Sequence, residues 1–255
     1  MEGSKNSIKL FVDSATASNV DLNGSRITLY LDPHINTYKK YVRMLSASIY
    51  YNFPNLSTED NNNKMKFTYN GTDYTITFRT GLYSLNSIQE TLNEGLVILG
   101  LDSLITIKLD DDISTSLITT TVATTHAFSL DTNDADNLLF KDMLGYTGVL
   151  NALAITTTLF ESTNKAFLNV VDKIYVYCDI CGNGSYLNSK NGSQILSIVP
   201  LLSPVGGLIN YEPLFPVSVE CKSTDVNRIM IYLQDQNGRA LNTQGESFDI
   251  LLEIY

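Results

Sequence analysis

Two Asn-Gly dipeptides, each preceded by a run in which apolar and polar residues alternate, constrain the fold of this chain more than any other feature. Asn and Gly tolerate the positive φ angles of a type I′ turn, which joins adjacent antiparallel strands. At Asn70-Gly71 a two-residue loop would pair Tyr69 with Thr72. That register places six large apolar side chains on one face: Met65, Phe67, Tyr69, Tyr74, Ile76 and Phe78. The sequence therefore predicts an antiparallel hairpin with one buried face.

The second dipeptide, Asn237-Gly238, follows the alternating run 228–233 (RIMIYL). A two-residue loop here would set Leu233 opposite Asn242, so the apolar faces would not match. We therefore expect a bulge or a longer loop at this turn. Both turns indicate an antiparallel β protein.

The composition is that of a folded protein with an acidic surface. Apolar residues make up 44% of the 255 residues and charged residues 17%, which is too apolar for a disordered chain. Lys and Arg together number 17 and Asp and Glu 27, which gives a formal net charge of −10. Nucleic acids and anionic membranes bind through clustered Lys and Arg, and the sequence contains no basic stripe. We expect neither as a partner.

The sequence offers no apolar run of the length that a signal peptide or a membrane span needs, so neither secretion nor membrane insertion is expected. The three cysteines, an odd number, fit a reducing compartment. Asn-x-Ser/Thr motifs occur at Asn23, Asn55, Asn70, Asn183 and Asn191. Without a secretory signal we interpret them as a by-product of a surface rich in Asn, Ser and Thr.

The hydrophobic pattern predicts about twelve short strands and two helices. Besides the first hairpin, the main predicted strands are 26–31, 41–53, 104–109, 116–122, 127–130, 154–160, 168–180, 194–199, 217–221, 229–233 and 248–255. One helix is predicted to begin at a capping box, Ser87–Glu90, and to end at Gly100. A second, shorter helix is predicted over 135–144, ended by Gly145.

Short strands with two short helices on their connections indicate an all-β fold, an antiparallel β-sandwich of jelly-roll type. The sequence contains no repeat and no linker of convincing composition, so one jelly-roll domain is predicted over residues 21–255. Residues 1–20 are interpreted as an N-terminal arm, polar except for Ile8–Val12, which would form one short strand. The Asn/Gly/Ser-rich stretch 182–193 is predicted to be a mobile tip.

The two histidines lie in no recognisable nucleophile or metal motif. His34 follows Asp32-Pro33, which favours a turn, and is interpreted as a surface turn residue. His126 is interpreted as the end of a strand. The sequence also lacks a nucleophile elbow, a phosphate loop, a dinucleotide-binding glycine pattern and an HExxH motif.

The cysteines invite a zinc or redox interpretation, because Cys178 and Cys181 have CxxC spacing. A structural zinc site needs four ligands, however, and Cys221 is the one cysteine that remains. Residues three apart in a strand also point to opposite faces. We interpret all three as buried or half-buried free thiols.

Two acidic segments, Asp110–Asp112 and 131–136, could supply oxygen ligands to calcium. Neither matches the EF-hand loop in its glycine or its terminal glutamate, and Asp134 is better explained as the N-cap of the second helix. We therefore predict no catalytic, cofactor-binding or metal-binding residues, no cofactor and no enzymatic activity. A β-sandwich hydrolase stays open as an alternative function, because the paired carboxylates of such an enzyme are recognised by their separation in space and not by their spacing in the sequence.

The order of segments also indicates a family. The segments are Tyr30–Pro33 leading into 42–53, the Asn-Gly hairpin, Gly81–Leu85 with the capped helix, Leu138–Gly145, 168–177, 231–238 and 248–255. In this order the chain resembles the minor capsid (penton) proteins of virophages, Polinton-type elements and related small DNA viruses. The resemblance spans most of the chain and includes no catalytic signature.

The resemblance implies a structural capsid protein, a jelly-roll subunit that forms homopentamers at the five-fold vertices of an icosahedral virion. Its partners would be further copies of itself, the neighbouring major capsid protein, and a fibre or host receptor at the outer loops. Assembly would take place in the host cytoplasm. Members of the family often carry an inserted outer domain, for which this chain is short.

The sequence leaves open an alternative function and the role of the N-terminal arm. A β-rich receptor-binding or fibre-head module would carry its ligand contacts in the loops 110–112 and 182–193. The arm, residues 1–20, would either add a strand to a neighbouring subunit or form a disordered tail.

Overall fold

The structure, a computed structural model, describes residues 7–21, 23–112, 117–168, 171–182, 194–204 and 206–255. The chain divides into two compact units. The first, called the jelly-roll unit below, comprises the residues up to Phe53 and those from Val171 to the C-terminus. The second, called the inserted unit, comprises residues 54–170. Each unit has its own hydrophobic cluster.

This division differs from the single domain that the sequence predicts over residues 21–255. Both units are built from the same kind of alternating strand. Alternation tells which face of a strand is buried, but it does not tell which cluster receives that face. No change of composition marks the two boundaries, at Phe53 and Val171. The predicted mobile tip 182–193 lies, apart from Gly182, outside the described residues.

The jelly-roll unit is built from antiparallel strands, which are numbered in order along the whole chain. They are Ile8–Asp13 (β1), Asn19–Asp21 (β2), Arg26–Asn36 (β3), Tyr41–Tyr50 (β4), Lys173–Cys178 (β12), Ile195–Pro200 (β13), Leu208–Tyr211 (β14), Val219–Glu220 (β15), Asp225–Gln234 (β16) and Phe248–Ile254 (β17). A short 3-10 turn, Ser14–Thr16, follows β1.

The strand order identifies the jelly roll. One sheet has the order β1-β17-β4-β14, with the short β15 also paired to β4, and the other has the order β13-β12-β16-β3-β2. Without the short β2 and β15, the eight remaining strands of this unit can be renumbered one to eight along the chain. The first sheet then has the order one, eight, three, six, and the second has the order two, seven, four, five. This is the interleaved order of two Greek keys in a jelly roll, and it confirms the predicted fold class.

The core of this unit lies between its two sheets. Buried side chains from the first sheet are Val12, Met44, Ile49 and Ile250, and from the second Ile27, Ile174, Ile229 and Ile231. Alternate residues of each strand face this cluster, because successive side chains of a strand point to opposite faces.

The N-terminal arm is in part a strand of the chain's own sheet. Residues 8–13 form β1, which pairs with β17 along its whole length, from Ile8 opposite Ile254 to Asp13 opposite Asp249. The alternating Ile8, Leu10 and Val12 of this strand face the core, and the strand pairs within its own chain. Residues 1–6 lie outside the described part of the chain.

The turn at Asn237-Gly238 is longer than two residues, as predicted. The amide of Gly238 donates to Asp235 O at 3.1 Å, and that of Asp235 donates to Arg239 O at 2.9 Å. The Asp235 carboxylate, 3% exposed, holds the loop by accepting from the amides of Asn237 and Arg239 at 2.8 and 2.9 Å.

The Asp32-Pro33 segment lies within β3, where the sequence predicted a turn. The pairing between β3 and β16 shifts there, because Tyr30 lies opposite Arg228 and Ile35 lies opposite Val226. Residues 31–34 therefore bulge. His34 is exposed, as predicted, and its Nδ1 lies 3.3 Å from Asp225 Oδ2.

The inserted unit contains two sheets and the long helix. Its strands are Lys64–Tyr69 (β5), Thr72–Thr77 (β6), Ile105–Asp112 (β7), Leu117–Thr124 (β8), Phe128–Asp131 (β9), Val149–Ala152 (β10) and Thr156–Glu161 (β11). They form the sheets β10-β9-β5-β6 and β11-β8-β7. The helix α1 spans Leu85–Ile98, and shorter helical turns span Ala135–Asn137 and Leu139–Met143.

The first hairpin has the predicted register. Tyr69 lies opposite Thr72 and Met65 opposite Ile76, and the turn residues Asn70 and Gly71 have φ angles of 50° and 75°. The predicted face is buried except for the partly buried Tyr74. The hydrophobic pattern and the turn residues were together sufficient to predict this register, because both are properties of neighbouring residues.

Helix α1 starts one turn before the predicted capping box. Its N-cap is Ser84, whose Oγ accepts from the amide of Ser87 at 3.2 Å, while Ser87 Oγ accepts from the amide of Ser84 at 2.8 Å. A serine at the third helical position closes this box, where the usual pattern has Glu or Gln. The helix ends as predicted at Gly100, whose φ is 68°.

Gly95 of α1 is required by packing against the hairpin. A Cβ at this position would lie 2.6 Å from Ile76 Cγ2 and 2.9 Å from Ile76 Cδ1. We expect Gly95→Ala to destabilise the protein by about 1 kcal/mol, because overpacking of about 1–3 kcal/mol outweighs the helix propensity gained. In an Ile76→Ala background, where the space is open, Gly95→Ala should instead stabilise. Urea denaturation of the four proteins measures this reversal of sign, and its absence would refute the packing explanation.

The second helical segment is divided into two turns of different kinds. Ala135–Asn137 is a 3-10 turn capped by Asp134, as predicted, and Leu139–Met143 is a π turn. Leu138 lies between the two turns. The buried Asn137, at the end of the first turn, ties this segment to β5, since its Oδ1 accepts from the amide of Lys66 at 2.6 Å. Gly145, with φ at 79°, ends the segment as predicted.

Candidate interaction surfaces

The histidine of the inserted unit belongs to a small polar cluster. His126 Nδ1 lies 2.9 Å from Tyr69 Oη and 3.1 Å from Thr125 Oγ1. The residue lies in the connection between β8 and β9, two positions before β9 begins at Phe128 and close to the predicted strand end. The contacts of the ring link the end of β5 to the segment between β8 and β9. The cluster therefore has a structural explanation.

The three cysteines lie together in the jelly-roll unit as free thiols. Cys178 and Cys181 are buried and Cys221 is half-buried, as predicted. Cys178 and Cys181 do not face opposite sides, contrary to the prediction, because β12 ends at Cys178 and a turn brings Cys181 into the same cluster. A hydrogen bond with Cys178 and burial raise the pKa of Cys181, and burial raises the pKa of Cys221 to about 11. Thiols in this state are poor nucleophiles.

The acidic run 131–136 is bound by the protein's own groups. Lys66 Nζ lies 2.9 Å from Asp134 Oδ2, and Lys64 Nζ lies 3.1 Å from Asp136 Oδ1. The backbone amide of Asp136 and the ammonium of Lys66 lower the pKa of Asp134. This run therefore serves to cap a turn and to pair with the lysines of β5.

The other acidic segment lies on a strand. Asp110 and Asp111 are exposed residues of β7 and line a shallow pocket with Ser84 and Asn86. Within the described ranges, no group of three His, Cys, Asp or Glu side chains is placed to hold a metal ion. In the same part of the chain, no helix is long and apolar enough to cross a membrane.

An exposed apolar segment marks one edge of the jelly-roll unit. We call residues 212–217 (EPLFPV), between β14 and β15, the ridge. Leu214 and Phe215 at its centre are 91% and 88% exposed. Both ends are held, because Tyr211 pairs with Ala47 and Val219 pairs with Val42. The ridge is therefore fixed along the β4 side of its sheet.

An apolar depression marks the other edge of the same unit. We call this cavity of about 630 Å³ the groove; it lies between β1 and the second half of β3. Ile8 and Leu10 line it from one sheet, and Leu31 and Ile35 from the other. The half-buried Lys40 and the exposed Asp32 supply its charged groups.

Neither surface was identified from the sequence. A groove between edge strands depends on strand order, which the sequence does not reveal. The ridge does have a local signal, because Leu214 and Phe215 stand between Pro213 and Pro216. Prolines on both sides exclude a central strand, so the two large apolar residues had no predicted place in the core.

Comparison with known proteins finds a likeness among solved structures. Neither a family model nor a curated protein matches the sequence. Among solved structures, the chain is similar to the crystal structure of the mavirus penton protein, with a TM-score of 0.49 and 11% sequence identity over 98% of this chain and 99% of that chain.

Proposed function

We propose that this chain is a structural subunit of a viral capsid, a penton that forms homopentamers and closes the five-fold vertices of an icosahedral virion. The interleaved strand order of the jelly-roll unit carries the proposal, since jelly rolls recur in viral capsid proteins. A fold by itself does not assign a function. The proposal therefore also depends on the segment order that resembles penton proteins and on the apolar edges of this unit.

A capsid subunit acts by binding its neighbours. In a closed ring, one side of each subunit contacts the opposite side of the next, so the subunit needs two different surfaces. The ridge and the groove are two such surfaces on opposite edges of one unit. Apolar patches of this kind mark binding surfaces in soluble proteins.

The proposed partners follow from this role. Further copies of the chain would form the ring, and the neighbouring major capsid protein would surround it in the virion. A fibre or host receptor would contact the outer loops. The role requires no catalysis, and assembly would take place in the host cytoplasm.

The proposal is tested by the mass of the purified full-length protein in solution. Native mass spectrometry over a range of concentrations should show a species of five times the 28.3 kDa chain. A protein that stays monomeric at the highest concentration reached would contradict the proposal.

The inserted unit favours one alternative, a receptor-binding or fibre-head module. Its β10–β11 region exposes Leu153, Ile155 and Leu159, of which Ile155 is 87% exposed. Jelly rolls also include lectin domains. Binding of the full chain to cells or glycans that is lost in Ile155→Ser would support this alternative, and trimers would favour it over the penton.

A further inference from the structure

We infer that the ridge of one subunit inserts Leu214 and Phe215 into the groove of a second copy of this chain, which joins subunits head to tail. The inference rests on the homopentamer proposed above and identifies the surfaces that would build it. Ridge and groove both belong to the jelly-roll unit.

Two prolines restrict the backbone of the ridge before it binds. Pro213 and Pro216 flank the two exposed apolar side chains and fix the φ angle on each side. A segment restrained in this way loses less conformational entropy when it binds. The prolines also remove two backbone donors, so the ridge is a poor template for an added strand. Its side chains must therefore make the contact.

The groove is open because the second sheet is incomplete on this side. The edge strand β2 pairs with residues 26–28 of β3, so among the described residues no strand pairs with residues 31–36 on that side. Ile8, Leu10 and Leu31 are half-buried there. At about 630 Å³ the groove has room for a Leu and a Phe side chain.

The ridge of a subunit does not reach the groove of the same subunit. The apolar lining of the groove borders β1, the outer strand on one side of the first sheet, while the ridge borders β14 and β15 on the opposite side. Lys40, at the end of the groove, lies nearer to β15, since its carbonyl oxygen accepts from the amide of Cys221 at 2.9 Å. The strands β17 and β4 lie between β1 and β14. Three strand spacings separate these edges by roughly 14 Å, and both ends of the ridge are paired with β4. The contact is therefore made between copies, and it is heterologous.

The charges near the two surfaces are complementary. The ridge contains Glu212 and no Lys or Arg. The groove has Lys40 in its lining and Lys39 next to it in sequence, with Asp32 as the carboxylate that opposes them. Copies of a chain with a net charge of −10 repel each other, so an acidic ridge needs a local cation at its receiving surface.

The ridge is tested with Leu214→Ser/Phe215→Ser, a double substitution of side chains that are almost fully exposed in the single subunit. We expect its association to weaken roughly thirtyfold or more, with an unchanged thermal transition of the subunit. The matched control is Ile98→Ser, which replaces a side chain 85% exposed at the end of α1 and should leave association unchanged. Sedimentation velocity measures both.

The pairing of ridge with groove is tested by exchanging charges. Glu212→Lys and Lys40→Glu should each associate about tenfold more weakly than the wild type. A mixture of the two should recover stable assemblies, because each ridge then meets a groove of opposite charge.

The outcomes separate this inference from the proposed function. Ring assemblies that survive the double ridge substitution, or a mixture that does not recover, would overturn the pairing and leave the homopentamer intact. A wild-type protein that is monomeric at every concentration would overturn both. Loss with the ridge variant and recovery in the mixture would support the pairing.

Discussion

Gly145→Ala should destabilise the inserted unit by about 3–5 kcal/mol. A Cβ at this position would lie 2.2 Å from the backbone oxygen of Asn164, and backbone cannot move aside as a flexible side chain can. The φ angle of 79° adds a cost of about 1–2 kcal/mol for any L-residue other than glycine. Relief would require breaking the hydrogen bond from the amide of Asn164 to Gly145 O, which is 2.9 Å long.

Gly148→Ala is the matched control for this effect. Gly148 has a φ angle of 84°, but no atom lies within 4 Å of the Cβ that alanine would add. This variant should lose only the conformational cost, about 1–2 kcal/mol. Hydrogen exchange followed by mass spectrometry reports the opening free energy of each segment, with the jelly-roll unit as internal reference. Equal losses in both variants would show that the close approach to Asn164 has no energetic weight.

Tyr146→Phe should remove a stabilising contribution that depends on pH. The Tyr146 side chain is fully buried, and its hydroxyl donates to Ile118 O at 2.6 Å and contacts Thr120 Oγ1 at 2.7 Å. The substitution leaves the buried Thr120 hydroxyl without this partner, which costs about 1–3 kcal/mol at neutral pH. Tyr83→Phe, which removes a hydroxyl bound to Arg79 O at the surface, should change stability by less than about 0.5 kcal/mol.

The free energies of unfolding of the wild type and of Tyr146→Phe should also depend differently on alkaline pH. Burial raises the pKa of Tyr146 to about 12 from its ordinary value of 10. The folded state holds this proton more tightly than the unfolded state. The contribution of the Tyr146 hydroxyl to the free energy of unfolding is therefore complete below pH 10 and is lost as the pH rises towards 12. The loss amounts to about 3 kcal/mol, at 1.36 kcal/mol for each pH unit.

The measurement is urea denaturation of wild type and Tyr146→Phe between pH 9 and pH 12. Burial also raises the pKa values of Tyr51 and Tyr232, so wild-type stability has further alkaline contributions. These contributions are common to both proteins and cancel when the two free energies of unfolding are subtracted. Parallel curves for the two proteins would contradict the assignment to Tyr146.

The parts of the fold that depend on local chemistry could be predicted from the sequence. The hairpin at Asn70-Gly71 has the register that its alternation and turn residues require. The ends of the helical segments at Gly100 and Gly145 follow from the need for a positive φ angle. The Asp134 cap follows from the preference of carboxylates for exposed helix amides.

The parts that depend on distant pairing could not be predicted. Residues 8–13 join β17, more than two hundred residues away in sequence, and no local pattern names that partner. The boundary of the inserted unit depends on which of two clusters receives a strand. The groove exists because β2 covers only part of β3, so its lining residues had no common signal in the sequence.

The central claim is that this chain is a subunit that assembles into five-membered rings. Negative-stain electron microscopy of the purified full-length protein, with two-dimensional averaging of end-on views, counts the subunits of each particle directly. We predict rings with five-fold symmetry, each built from one jelly-roll unit per subunit. Averages that show only trimers or single subunits would contradict the claim.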